Sequence, residues 1–143
     1  GKPFKTREGG VLKLHDFIQQ AKDKARERLD EAGIGEDWSD GERADIIQKV
    51  AIAAIKFADL SNVRTKNYVF DIDQFMKFEG KTGPYLLYAA VRVKSLMRRA
   101  KEQGVEAGGV VVDTPEERAL VLQLDAFESA LKLAYENRTP HGV

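Results

Sequence analysis

Three cations near the beginning of the chain are the residues most suited to chemistry. Lys2, Lys5 and Arg7 lie in a segment with a proline, two adjacent glycines and no periodicity, which predicts a loop. Mobile cations beside flexible glycines suit an anion such as a polyphosphate, because they can approach negative charge as it develops. Taken alone, the segment is more typical of a solvated terminus, since charged, glycine-flanked ends are usually only hydrated.

No complete catalytic constellation is visible elsewhere in the sequence. It contains no P-loop, no GxGxxG and no spacing that favours a Ser-His-Asp arrangement. The absence of cysteine excludes disulfides and thiolate-bound zinc, and His15 and His141 are too far apart to form a metal-ligand motif. We therefore predict no metal site, and no apolar run approaches the ~20 residues of a membrane span.

Charge is unevenly distributed along a chain whose formal net charge is zero. Residues 1–28 and 64–101 are basic, with net charges of +4 and +6, whereas 29–63 and 102–143 each have −5. A basic surface beside an acidic one is compatible with a polyanionic partner. Solvated helix faces explain the same blocks, and charge alone favours that explanation.

Hydrophobic periodicity predicts a mainly helical protein. In the first half, an apolar stripe from Leu14 to Ala32 indicates one helix ended by Gly33, and a capping box of Ser39 and Glu42 opens a second. The second helix is apolar nearly all round between residues 46 and 58, which predicts that it is buried as the core.

In the second half, a short helix is predicted over 72–78 and a long one from Thr82 to about 103, densely basic in its second half. Thr114, Pro115 and Glu117 open a last long helix, whose stripe at 120–134 is expected to be core. A second cap signal near residues 125–128 leaves open whether a kink divides this last helix in two. Another helix-start signal at 139–140, three residues before the chain stops, predicts a segment cut from a larger domain.

Several short sequence words, in order along the chain, resemble the arginyl-tRNA synthetase family. The first resembles the degenerate phosphate-binding signature loop of this class I family, and the others resemble the segments that follow it. They are GKPFKTREGG at 1–10, KFADLS at 56–61 with Asn62 and the pair at 64–65, YVFD at 68–71, FEG at 78–80, PYLLYA at 84–89 with Arg92, ERAL at 117–120 and TPH at 139–141.

The resemblance implies part of an enzyme that joins arginine to tRNA(Arg), using ATP and Mg²⁺ through an arginyl-adenylate in the cytoplasm. The signature loop aligns as KPFKT at 2–6 or FKTR at 4–7. We expect Lys5 to stabilise the pyrophosphate leaving group, with Arg7 helping and Lys2 third. Because the upstream nucleotide-binding fold is missing, the segment alone is expected to be inactive and to bind no cofactor itself.

The resemblance also places residues toward tRNA, and cations and aromatic rings suit phosphates and unpaired bases. These candidates are Asn62, Arg64 and Lys66 in a linker, and Tyr85, Tyr88, Arg92, Arg98 and Arg99 on the long helix. For the two tyrosines, core packing is the favoured alternative. For Arg98 and Arg99, charge support of the helix C-terminus is equally compatible.

The implied fold is all-α with three regions. Residues 1–11 are the signature loop at the end of the catalytic domain, 12–70 a helical linker that contacts the tRNA stem, and 71–143 the first part of an anticodon-binding bundle. The parent is expected to be a monomer, whereas exposed apolar surface could make the segment dimerise. Two alternatives stay open: a stand-alone helical RNA-binding module and a helical protein-interaction module.

Overall fold

Polar side chains cap the start of four helices in the computed structural model. The structure describes residues 13–63, 65–67, 69 and 71–143, and at His141 it describes the backbone alone. The side-chain oxygens of Ser39, Asp71, Thr82 and Thr114 each accept a hydrogen bond from the backbone N–H three residues later, at 3.1–3.3 Å. Each cap satisfies a donor that the first helical turn leaves unpaired. The caps predicted at Ser39, Thr82 and Thr114 are confirmed.

The prediction of a mainly α protein is confirmed. The described helices are α1 (Leu14–Glu31), α2 (Asp40–Leu60), α3 (Ile72–Phe75), α4 (Gly83–Glu102) and α5 (Pro115–Asn137), followed by a 3₁₀ turn at Pro140–Gly142. The described residues contain no strand, and Val69 is exposed rather than paired.

The core forms where α1 packs against α2. Alanines at 21 and 25 of α1 and at 51 and 54 of α2 are essentially fully buried, so small side chains let the two helices approach closely. Larger apolar side chains complete the cluster: Leu29, Ile47, Val50 and Met76. The predicted role of the second helix as core is confirmed.

An ion-paired contact holds α3 against α1. The Asp73 carboxylate lies 2.8 Å from the Lys24 ammonium and 3.7 Å from the Arg28 guanidinium. Met76, directly after α3, is only 1% exposed and belongs to the core. The helix predicted over 72–78 therefore ends early, because the chain turns to bury Met76.

Helix α4 begins against the backbone of α2. Gly83 and Pro84 are buried there, and the Thr82 hydroxyl donates to the Lys77 carbonyl at 2.6 Å while it caps α4. The junction fixes the start of α4, whereas the rest of this helix is largely exposed.

Helix α5 differs from its prediction in two respects. It is continuous from Pro115 to Asn137, so the alternative cap near residue 125 does not divide it into two helices. Its apolar stripe, predicted as core, is exposed: Leu124 is 65% and Phe127 52% accessible. Helix α5 packs closely only with the 3₁₀ turn that follows it, and the described chain provides no helix to cover the stripe.

Candidate nucleic-acid interface

Four of the predicted site residues lie outside the described residues. They are Lys2, Lys5, Arg7 and Arg64. The structure describes the other seven and places all of them except Arg98 on two surfaces; they are Asn62, Lys66, Tyr85, Tyr88, Arg92, Arg98 and Arg99.

The first surface is one face of α4. Tyr85 and Tyr88 are 42% and 47% exposed, so their rings are not core residues of the described chain. The guanidinium carbon of Arg92 lies 5.6 Å from the centroid of the Tyr88 ring, within the range of a cation–π contact. The contact orients Arg92 beside a half-exposed aromatic ring. A ring and a cation in this arrangement are compatible with binding an unpaired base and a phosphate.

Arg99 extends this face by two turns. It shares with Arg92 a hollow of about 560 Å³, lined by Ala89, Arg92, Val93, Ser95, Leu96 and Arg99. No carboxylate belongs to the described lining, so the two guanidinium groups dominate its charge. Arg98 does not line the hollow, and its Nε lies 3.9 Å from a Glu102 oxygen one turn later. The face therefore includes Arg99 but not Arg98.

The second surface is a pocket of about 240 Å³ beyond the C-terminus of α2. Its described lining consists of Asp59, Leu60, Asn62, Val63, Lys66, Arg138 and Pro140. The Asn62 amide donates to the Ala58 carbonyl at 2.6 Å, which fixes the side chain, and the Ser61 hydroxyl donates to the same carbonyl at 3.2 Å. Asn62 and Lys66 are thus brought together as predicted neighbours, and neither shares a surface with the α4 residues.

Sequence reasoning missed Arg138 as part of this pocket. Arg138 is the C-cap of α5 and has φ 55° and ψ 42°, in the left-handed region that favours glycine. The sequence signal was limited to a cation immediately before the helix-start pair at 139–140. Its proximity to Asn62 and Lys66 depends on where the end of α5 packs, which no local pattern specifies.

The groups with shifted pKa values in the described chain are structural. A hydrogen bond from Lys24 holds the pKa of Asp73 below its ordinary value, and the same bond raises the pKa of Lys24. The Glu31 carboxylate raises the pKa of Arg28. Backbone N–H groups of Asp113 and Thr114 lower the pKa of Glu117. None of these groups lies on either surface.

Two further observations limit the chemistry of the described residues. They include no group of three His, Asp or Glu side chains that could hold a metal ion. No helix among them is both long and apolar enough to cross a membrane.

Two family models match consecutive parts of the chain. One, described as tRNA synthetases class I (R), catalytic domain, matches residues 1–72, which is half of the chain. The other, described as DALR anticodon binding domain, matches residues 86–143. The chain belongs to the class I arginyl-tRNA synthetase family. The resemblance seen in the sequence is thereby confirmed.

Individual relatives agree with the family assignment. The arginine–tRNA ligase of Hyphomonas neptunium is 58% identical over 99% of this chain, and that of Maricaulis maris is 59% identical over 100%. The solved Thermus thermophilus arginyl-tRNA synthetase superposes with a TM-score of 0.78 and 33% identity, over 94% of this chain and 22% of that one. The chain spans about a quarter of the length of the two curated relatives, 24% of each.

The two surfaces belong to different parts of the residue ranges that the two arginyl-tRNA synthetase family models match. Tyr88, Arg92, Arg98 and Arg99 all lie within the anticodon-binding match. The pocket joins both matches, because Asn62 and Lys66 belong to the catalytic-domain match and Arg138 belongs to the other. It therefore lies at the seam between two parts of a synthetase.

Proposed function

We propose that the chain is part of an arginine–tRNA ligase, which attaches arginine to tRNA(Arg) with ATP and Mg²⁺ through an arginyl-adenylate. The observation that carries the proposal is that the arginine-type catalytic match and the anticodon-binding match follow each other in one chain. The family membership supports ATP use and tRNA as partner, and we extend the proposal to a cytoplasmic location. The alternatives of a stand-alone RNA-binding module and a protein-interaction module do not explain the match to a catalytic domain.

Within the enzyme we assign three regions to the chain. Residues 1–11 supply the loop that meets the ATP pyrophosphate, 12–70 form a helical region beside the tRNA stem, and 71–143 form part of the anticodon-binding domain. The loop residues Lys2, Lys5 and Arg7 are assigned from the sequence alone. Positive charge there would stabilise negative charge that grows on the leaving group.

Aminoacylation by the full-length parent tests the function and the loop together. Each amino acid is offered in turn to the wild type, Lys5→Ala and the exposed control Lys13→Ala. We expect only arginine to be charged, and Lys5→Ala to lower turnover by roughly 10²-fold, as for removal of one transition-state donor. A silent Lys5→Ala would move the role to Arg7 or Lys2. Charging of no amino acid by a folded parent would refute the enzyme.

The isolated chain is expected not to activate arginine. It has the proposed leaving-group loop but includes only about a quarter of the length of its relatives. Arginine-dependent ATP–pyrophosphate exchange is the measurement, and detectable exchange by the purified chain would contradict the expectation.

The α4 face offers a direct test of tRNA contact. Arg92→Gln and Arg99→Gln remove cations from the shared hollow, whereas Arg98→Gln removes one paired with Glu102. We expect each of the first two to weaken tRNA binding by the full-length enzyme about tenfold, since a charge-assisted hydrogen bond contributes about 1.5 kcal/mol or more. Arg98→Gln is the matched control. An equal loss in all three variants would contradict the division of the face.

A further inference from the structure

We propose that the pocket between the end of α2 and the end of α5 binds a phosphate group of the tRNA backbone, with Arg138 and Lys66 as its cationic ligands. The inference rests on the proposed function, which makes tRNA the partner. It adds a binding site and a residue, Arg138, that the α4 face does not include.

The shape and lining of the pocket suit a small anion with attached ribose. Its volume of about 240 Å³ is roughly eight times the ~30 Å³ share of one water molecule in the liquid. Leu60, Val63 and Pro140 provide apolar walls, while Asn62, Lys66 and Arg138 provide donors. The Asn62 side chain is already fixed by its bond to the Ala58 carbonyl, so this donor group is held in place before any ligand arrives.

The two cationic side chains of the pocket remain available to a ligand as far as the described residues are concerned. Within the part of the chain that the structure describes, neither the Lys66 ammonium nor the Arg138 guanidinium is in an ion pair. Asp59 is the one carboxylate in the described lining, so two cations face one anion. The C-termini of α2 and α5 also point here, and cations offset their negative ends. A bound phosphate adds two charge-assisted hydrogen bonds that the helix ends alone cannot supply.

The backbone of Arg138 supports a role beyond ending the helix. Among the described residues it is the one non-glycine with positive φ, at 55°. Glycine ends a helix in this conformation without a Cβ penalty, and asparagine tolerates it well. Such outliers concentrate at ligand sites, where the surroundings hold them in place. With arginine at this position, the pocket lining gains a second cation in addition to Lys66.

The position of the pocket fits a backbone contact rather than reading of a base. It joins the catalytic-domain match to the anticodon-binding match, so a bound phosphate would contact both parts of the enzyme at once. Contacts to phosphate fix register and orientation without reading sequence. The site would therefore set how the two parts are aligned along the tRNA.

The experiment measures tRNA(Arg) binding by the full-length enzyme between low and moderate salt. Arg138→Gly removes the guanidinium but keeps the left-handed turn, and Lys66→Gln removes the ammonium in a different element. Arg138→Lys restores charge, and Arg118→Gln on exposed α5 is the control. We expect about tenfold weaker binding for each of the first two variants. The slope of log affinity against log salt should become shallower by about 0.7–0.9 for each lost contact.

The outcomes separate this inference from its alternatives. Weaker binding with a shallower salt slope, an unfolding temperature no lower than wild type for Arg138→Gly, and recovery in Arg138→Lys support the site. Unchanged affinity in both variants, while wild type still charges arginine, overturns the site and leaves the proposed function intact. If inorganic phosphate raises the unfolding temperature of wild type but not of the variants, and tRNA affinity is unchanged, the site takes free phosphate and the RNA assignment is wrong.

Discussion

At the scale of single residues, Gly83 marks a close approach between the backbones of α2 and α4. A Cβ placed on Gly83 would lie 2.2 Å from the Ala53 carbonyl oxygen and 2.9 Å from the Ala54 nitrogen. Both obstacles are backbone atoms of a buried helix, so a side chain cannot be accommodated by a rotamer change. The residue determines how near the anticodon-binding part can lie to the helix that forms the core.

Gly83→Ala is expected to lower the free energy of unfolding by about 1–3 kcal/mol, because the two helices must separate to admit the methyl group. Gly41→Ala is the matched control: it lies in the first turn of α2 with nothing within 4 Å of its Cβ position. That variant should be neutral or up to about 1 kcal/mol more stable. Urea unfolding followed by circular dichroism measures both. Equal stability of the two variants would contradict the close backbone contact.

The Lys24–Asp73 contact makes the attachment of α3 to α1 depend on pH. A hydrogen bond from Lys24 lowers the pKa of Asp73 in the folded chain. A carboxyl with a depressed folded pKa stabilises the fold fully above its unfolded pKa, near 3.8, and loses that contribution as pH falls through the folded value. We expect Asp73→Asn to be less stable than wild type at neutral pH.

The stability difference should shrink as pH is lowered below about 4, because the wild-type carboxyl then becomes neutral as well. Thermal unfolding of both proteins across this range provides the measurement. Asp125→Asn, on exposed α5, controls for loss of a carboxylate without such a contact. A difference between wild type and Asp73→Asn that does not vary with pH would exclude the ion pair as its cause.

At the scale of elements, similar caps have different consequences because α2 is core and α5 is not. The Ser39 hydroxyl accepts from the Glu42 N–H at 3.3 Å, and the Thr114 hydroxyl from the Glu117 N–H at 3.2 Å. Helix α2 packs against α1 and α4, so weakening its first turn affects the cooperative unit. Helix α5 packs closely only with the turn after it, so its first turn opens locally.

Ser39→Ala is therefore expected to lower the free energy of global unfolding by about 1 kcal/mol. Thr114→Ala should leave the main unfolding transition nearly unchanged but speed amide hydrogen exchange in the first turns of α5. Hydrogen exchange and urea unfolding on the same samples distinguish the two effects. A drop in global stability for Thr114→Ala as large as that for Ser39→Ala would show that α5 is coupled to the core.

The elements also show which parts of the fold could be predicted from the sequence. Helix starts at Ser39, Thr82 and Thr114 were predictable because a cap acts on an N–H three residues away. The early end of α3 depends on burial of Met76 against residues about 25–55 positions distant in sequence, which no local pattern reveals. The stripe on α5 was predicted to be core but is exposed, because periodicity identifies an apolar face and cannot say whether a covering helix is present.

In the candidate site too, local spacing was predictable from the sequence, whereas contacts that depend on tertiary packing were not. Helical spacing placed Tyr88 and Arg92 one turn apart, and the structure finds them in contact. Arg98 and Arg99 are separated by the 100° between consecutive helical positions, so their different placement is predictable from the sequence. Arg138 joins Lys66 only through tertiary packing and a left-handed backbone conformation, neither of which the sequence displays.

At the scale of the whole molecule, α1, α2, α3 and the start of α4 are packed together, whereas the rest of α4 and most of α5 leave apolar side chains exposed. Exposed aliphatic and aromatic side chains occur on both long C-terminal helices. On α4 they include Leu86, Val91, Val93, Leu96 and Met97, and on α5 Leu120, Leu122, Leu124, Phe127 and Leu133. Large contiguous apolar patches are uncommon on monomeric soluble proteins and mark interfaces, so we infer an interface where these side chains cluster.

We expect the isolated 143-residue chain to self-associate through these faces, because pairing removes apolar surface from water. In the full-length parent, which we propose to be a monomer, the apolar stripe of α5 would be covered within the protein, whereas the α4 hollow that includes Val93 and Leu96 would stay open to tRNA. Sedimentation equilibrium over a range of concentrations measures the association. Leu124→Lys with Phe127→Lys should shift the chain toward monomer, whereas Glu128→Gln, a neighbouring change that leaves the apolar stripe intact, should not. A wild-type chain that stays monomeric at every concentration would refute the pairing, and a dimeric parent would show that covering is not intramolecular.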